Sequence, residues 1–149
     1  ILMFISYPAL FYKSPTEGGS YYIHFPDLEG PGTQGDTVEE AVMLASEYLG
    51  ILASHLIENG EKLPNRSDIR ALSPEKDFPF RDDKEFDGFY DFDRSFASMV
   101  CVDLEPYFAG QTSVKKTLTI PKWANDLGNR LNLNFSRVLT EAIETIALR

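Results

Sequence analysis

The sequence has a single cysteine, Cys101, among 149 residues. No internal disulfide can form, which suits a reducing compartment, and a cytoplasmic location is expected. Cys101 lies in the apolar run Met99-Val100-Cys101-Val102 and is expected to be a small buried hydrophobe rather than a nucleophile. Long apolar runs are also missing. None approaches the roughly 18 residues that a spanning helix needs, so no membrane partner is expected. The opening stretch from Ile1 to Tyr12 is apolar, but it has no basic leader and no small-residue cleavage site. It does not read as a secretion signal, and its alternation suits a strand. There is no glycine-rich phosphate loop; Gly18-Gly19 sits in a run of turn residues. His24 and His55 are the only histidines, and neither has a His or Cys neighbour. A structural role is expected for both, with no metal and no cofactor.

Positive charge is scarce overall: the net charge is −9. Its distribution is uneven. From Ser113 to Arg149 there are six basic residues (Lys115, Lys116, Lys122, Arg130, Arg137, Arg149) against three acidic ones (Asp126, Glu141, Glu144), a net of +3. The remaining 112 residues carry eight basic and twenty acidic residues, a net of −12. An acidic body with a basic tail points to two jobs with different partners.

Forty-three per cent apolar residues are enough to build a core. Residues 3–12 and 20–26 are rich in β-formers and flank the turn run Lys13 to Gly19, which predicts a hairpin. A short third strand is expected around residues 32–35. Thr37-Val38-Glu39-Glu40 has the form of a capping box, and apolar residues recur at helical spacing from Val38 to Leu56. Asn59-Gly60 supplies the stop. Residues 61–98 are expected to be irregular, because Leu63-Pro64 and Ser73-Pro74 break helices. Within them, Ser73 to Phe96 interleaves eight acidic and four basic residues with seven aromatics. We expect an extended connection pinned to the core by its aromatics; a nucleic-acid-mimicking surface is the sharper alternative. Residues 98–104 predict one more strand.

The last 36 residues carry the clearest pattern. Val114 to Ile120 alternates, placing Lys116, Leu118 and Ile120 on one face and Lys115, Thr117 and Thr119 on the other. Pro121 ends this strand and can open a helix containing Trp123, Ala124, Leu127 and Leu131. After the Asn132-Leu133-Asn134 turn, a second helix repeats apolar residues at Phe135, Val138, Leu139, Ala142, Ile143 and Ile146. So short a unit cannot bury its own apolar faces. Two copies can, by pairing strands and interlocking four helices. The expected dimer core is Leu118, Ile120, Leu127, Val138, Leu139 and Ile143. Such a paired ribbon fits the DNA major groove. Lys115, Lys116, Thr117 and Thr119 are the candidate DNA contacts, with Asn134, Phe135, Ser136 and Arg137 offering a phosphate site at a helix start.

Two segments then resemble a known family. Phe25-Pro26-Asp27-Leu28-Glu29-Gly30-Pro31-Gly32-Thr33-Gln34-Gly35-Asp36-Thr37, followed by Glu39-Glu40-Ala41, resembles the signature of HicB antitoxins. It departs from that signature at Glu29 and Pro31, where the family usually has Pro and Cys. The tail from Lys116-Thr117-Leu118-Thr119-Ile120-Pro121 resembles the ribbon-helix-helix ending of one HicB subgroup. The resemblance implies an α+β fold: a small antiparallel sheet with one covering helix, described as a partial RNase H-like body, plus the ribbon-helix-helix segment. It also implies an antitoxin that covers the active surface of a HicA-type mRNA-cleaving toxin and represses its own operon by binding operator double-stranded DNA. The partners expected are that toxin, operator DNA and a second copy through the C-terminal segment; higher oligomers with toxin stay open here. Tyr22, Asp27, Glu29, Asp82, Asp83, Asp91 and Asp93 are the candidate toxin contacts. The division expected is a body over 1–105, a linker over 106–112 and the dimerising segment over 113–149. The rival reading is a ribbon-helix-helix repressor with a ligand-sensing body. An RNase H-like body raises the question of catalysis, but Asp27, Glu29 and Asp36 show no spacing that would converge on metal ions, so no enzyme is expected.

Overall fold

A computed structural model describes residues 3–149. Ile1 and Leu2, the start of the apolar opening stretch, lie outside the described residues. The chain is α+β. Strands β1 (Phe4–Lys13), β2 (Tyr21–His24), β3 (Thr33–Gly35) and β4 (Asp91–Asp103) form one antiparallel sheet in the order β3-β2-β1-β4. Helix α1 (Val38–Glu58) follows β3, and α2 (Lys122–Arg130) and α3 (Phe135–Ala147) form the tail.

The β1–β2 hairpin is closed from inside. Lys13 is buried, and its ammonium donates to the carbonyls of Ser14, Thr16 and Gly19 at 2.9–3.2 Å. The loop thus wraps a cation, and Gly18 takes the left-handed conformation (φ 71°) that the turn requires. The Thr37 hydroxyl accepts from the Glu40 backbone N–H (3.1 Å) at the start of α1, as its position in the sequence predicts. Asn59 caps the other end, and Gly60 is left-handed (φ 76°).

β1 is buried on both faces, and two separate clusters result. Tyr7, Ala9 and Phe11 point toward α1, where Ala41, Ala45, Leu49 and Ala53 form the buried stripe. Phe96 of β4 stacks on Phe11 (centroids 4.8 Å apart, planes within 6°). Leu10 and Tyr12 point the other way, into a second cluster with Phe78, Tyr22, Leu72, Phe80, Phe86, Tyr90 and Phe92. Tyr12 is its centre, in ring contact with Tyr22, Phe78, Tyr90 and Phe92 and donating its hydroxyl to the Pro74 carbonyl (2.8 Å).

Four expectations are corrected. The irregular stretch ends at residue 90, because β4 starts at Asp91 rather than Ser98 and pairs along nearly all of β1. Cys101 is exposed: Val100 and Val102 take the inward positions on β4, and alternation turns Cys101 away from α1. α1 is long and apolar enough to cross a membrane by length and composition. Its apolar stripe is instead spent on the sheet. Finally, residues 113–120 form no strand in the single chain, since they have no ladder partner among the described residues.

The linker is also less free than its Pro and Gly suggest. Tyr107 lies against Gly50 of α1, where a Cβ would come within 2.6 Å of the ring, and the Ala109 N–H donates to the Glu58 carboxylate (2.6 Å). Ala147 and Leu148, at the end of α3, pack against the main cluster.

The second cluster has a pH signature. Burial pushes the Tyr22 phenol up to about 12 and raises those of Tyr12 and Tyr90. A phenol whose folded pKa lies above its unfolded value of about 10 binds its proton more tightly when folded. Its stabilisation is complete below pH 10 and is lost as pH rises toward 12. Denaturant midpoints should therefore hold steady to pH 10 and fall between pH 10 and 12, with Tyr22→Phe flattening the fall. A Tyr22→Phe variant with an unchanged pH slope would exclude this phenol as a source.

Candidate functional site

In the tail, the structure forms both expected helices. Asn134 caps α3 by accepting from the Arg137 N–H (3.1 Å), and Asn132 adopts a left-handed turn conformation (φ 55°). Gly128 of α2 lets the Phe135 ring approach within 2.5 Å of where a Cβ would stand, which locks the helix pair. Arg137 also pairs with Glu141 (2.9 Å), so part of its charge at the α3 start is compensated. Lys122 pairs with Asp126. Both pairs are exposed and contribute little to stability.

The apolar face of this pair is uncovered. Leu118, Ile120, Leu127, Val138 and Ile143 are all more than 40% exposed, and of the expected dimer core only Leu139 is half-buried. Lys115, Lys116, Thr117 and Thr119 lie on an exposed extended segment with no ladder hydrogen bonds among the described residues. Five of the six expected core residues are therefore exposed in the single chain.

The candidate contacts on the body divide by environment. Asp27 is engaged internally: its two carboxylate oxygens accept from the Ser67 N–H (2.8 Å) and hydroxyl (2.5 Å), tying residues 61–67 to the β2–β3 turn. Tyr22 is half-buried, packed on Tyr12, Phe80 and Tyr90, with its hydroxyl donating to the Pro31 carbonyl. Asp83 caps a single 3-10 turn over Lys84–Phe86. Asp91 pairs with Arg94 (2.8 Å), and that guanidinium holds its carboxyl below the usual range. Glu29, Asp82 and Asp93 are exposed with no side-chain bond among the described residues. Tyr22 and Asp27 thus hold the body's shape, while the exposed acids stand on its surface. His24 is half-buried, and burial lowers its pKa; the His55 ring lies 3.0 Å from the Asn59 side-chain amide. Among the described residues no three His, Cys, Asp or Glu side chains converge as a metal site would need.

Cavities open on the body, and two bear on the site. One of about 450 Å³ lies between the start of β1, residues 62–66 and the last residues of α3. The other, about 200 Å³, is set in the aromatic segment between Phe78, Phe86 and Phe92, with Glu75 and Asp87 at its rim. Nothing in the linear sequence marks this second cleft. Glu75 and Asp87 meet there only because the chain folds back across the sheet.

The family model described as HicB_like antitoxin of bacterial toxin-antitoxin system matches residues 7–83, from within β1 through Phe78 and Phe80 at the start of the aromatic cover. Antitoxin HicB 1 of Photorhabdus laumondii is 42% identical over 50 residues, which are 34% of this chain; the match spans about a third (32%) of that relative's length. A chain of a toxin–antitoxin complex from Streptococcus pneumoniae is 50% identical, with 94% of this chain and 97% of that one covered and a TM-score of 0.67. The crystal structure of the Burkholderia pseudomallei antitoxin HicB matches over 94% of this chain and 96% of its own, with a TM-score of 0.51; at 19% identity it shows a shared fold. The hairpin, the β3–α1 junction and α1 fall within the matched segment, and from these the conclusion follows: the chain belongs to the HicB-like antitoxin family of bacterial toxin–antitoxin systems.

Proposed function

We propose that this chain is an antitoxin that neutralises a HicA-type mRNA-cleaving toxin by covering its active surface, and that it represses its own operon as a DNA-bound dimer. The observation that carries the dimer is the bare apolar surface of the tail. Leu118, Ile120, Leu127, Val138 and Ile143 are exposed in one chain, and residues 113–120 have no ladder hydrogen bond among the described residues. Exposed apolar side chains and an alternating segment without a ladder call for a partner. A second copy satisfies both at once, because antiparallel pairing of residues 114–120 fills the ladder while α2 and α3 close over the seam.

The mechanism is stoichiometric. The body, residues 1–105, meets the toxin through its acidic surface, and opposite charge speeds the encounter. Residues 113–149 pair, with Lys115, Thr117 and Thr119 turned to base edges and the α3 start at Asn134, Phe135 and Ser136 set against phosphate. An exposed Lys116 reaches phosphate from the ribbon's rim. The protein acts by occupancy rather than by bond-breaking, in the cytoplasm where its toxin and operator are found. The direct test is copurification with the product of the neighbouring gene, followed by a ribonuclease assay of that product with and without this chain. Failure to bind it and to suppress its cleavage overturns the reading.

Two further outcomes are expected. Sedimentation at micromolar concentration should give a dimer, and Leu139→Ala should cost the assembly about 2–5 kcal/mol, read as a drop in denaturant midpoint that depends on protein concentration. A monomer at high micromolar concentration contradicts the pairing. Operator binding should weaken steeply with salt. Thr119→Ala should blunt discrimination between operator and random DNA, whereas Lys116→Ala should weaken all sites alike and lower the salt slope by about one. Unchanged operator preference in Thr119→Ala would remove the ribbon from the groove.

A further inference from the structure

The aromatic segment does more than close the sheet. Its cleft of about 200 Å³ has Phe78, Phe86 and Phe92 as walls and two carboxylates, Glu75 and Asp87, at the rim. Phe78 is buried and edge-on to Phe92 (5.4 Å), so packed rings back the cleft. Phe86 stacks on Phe80 (4.3 Å) and touches the half-exposed Phe89 (5.2 Å). Apolar surface therefore continues out of the cleft onto the protein's exterior.

Both carboxylates are exposed to solvent, where a partner's charge can reach them. Among the described residues neither the Glu75 nor the Asp87 carboxylate is in a side-chain hydrogen bond or ion pair, although nearby acids are: Asp77 accepts from the Ser73 N–H, and Asp91 holds Arg94. The Arg81 guanidinium at the same rim bonds instead to the Lys76 carbonyl (2.8 Å). The local charge is negative, since residues 82–87 hold Asp82, Asp83, Glu85 and Asp87 against Lys84. Ring faces present negative potential, and carboxylates above them add full charge. Both attract a cation on an apolar stem. An anion is repelled, and a neutral apolar group leaves two carboxylates to be desolvated without a partner.

We infer that this cleft is a docking socket for an arginine or lysine side chain projecting from a basic protein partner. The stem lies along Phe78, Phe86 and Phe92, and the charged head pairs with Glu75 and Asp87. Phe89 supplies a neighbouring apolar contact. The inference rests on the toxin-binding reading above and assigns it an anchor. Central, desolvated pockets that take one long cationic or aromatic side chain carry a disproportionate share of interface energy.

The test uses the full chain and the basic protein that copurifies with it, separated in denaturant and refolded. Its dissociation constant is measured against wild type, against Glu75→Gln/Asp87→Asn, against Phe86→Leu, and against Glu39→Gln/Glu47→Gln. The last pair removes the same charge from the outer face of α1. Glu75→Gln/Asp87→Asn is isosteric and breaks no hydrogen bond, so its circular dichroism and melting should match wild type; Phe86→Leu loses the stack on Phe80, so its affinity is read only at temperatures where circular dichroism shows it folded. The cleft pair should weaken binding about tenfold or more, and Phe86→Leu several-fold. The α1 pair should change it less than twofold. Equal losses from both pairs would reduce the effect to general charge attraction and overturn the socket. So would full affinity in the cleft variants, with the antitoxin reading left intact. If wild type itself fails to bind the copurified protein, the antitoxin reading falls and the socket falls with it.

Discussion

Everything in the body depends on one strand with two apolar faces. β1 carries Tyr7, Ala9 and Phe11 on one side and Leu10 and Tyr12 on the other, all buried. A strand of this kind needs two covers, and the sheet has only one long helix to offer. α1 takes the first face with a stripe of small residues, Ala41, Ala45 and Ala53, that lets helix and sheet approach closely. The second face is closed by a segment with scarcely any regular structure. That segment holds on through rings rather than ladders, and Tyr12 gathers most of them. Aromatic side chains suit the task, because each buries a large area at little entropic cost and packs edge-on or offset without needing periodic backbone.

The same arrangement explains what was legible in the sequence. The hairpin, the β3–α1 junction and both tail helices follow from local signals: turn residues, the Thr37 and Asn134 caps, and apolar spacing. The start of β4 was not legible. Asp91, Asp93 and Arg94 look like surface residues, and they become strand only because β1 supplies a ladder that reaches Lys13. The environment of Cys101 depends on register, and one residue's shift along the strand would reverse it. The roles of Tyr22 and Asp27 were hidden for a related reason. Their partners Tyr90 and Ser67 lie 68 and 40 residues away in the chain, and no local pattern announces such pairings. The expectation that the aromatics fasten residues 73–96 to the core, by contrast, rested on composition alone, and the rings do pack there.

Body and tail solve the burial problem on different scales. The body closes both faces of β1 within one chain. The tail leaves its own surface open, and the proposed second copy would complete it. The linker joins the two more tightly than a string of turn residues would, since Tyr107 rests on Gly50 and Leu148 packs on the main cluster. A change on either side is thereby felt at the junction, through contacts rather than through a loose tether.

The outward side chain of Cys101 has a practical consequence. The chain contains one cysteine and one tryptophan, and both are exposed: Cys101 on the body's edge strand, Trp123 at the start of the tail's first helix. A thiol-reactive acceptor dye on the former and the native indole on the latter form a donor–acceptor pair that needs no engineering. The chain thus carries a built-in optical ruler between its body and its tail.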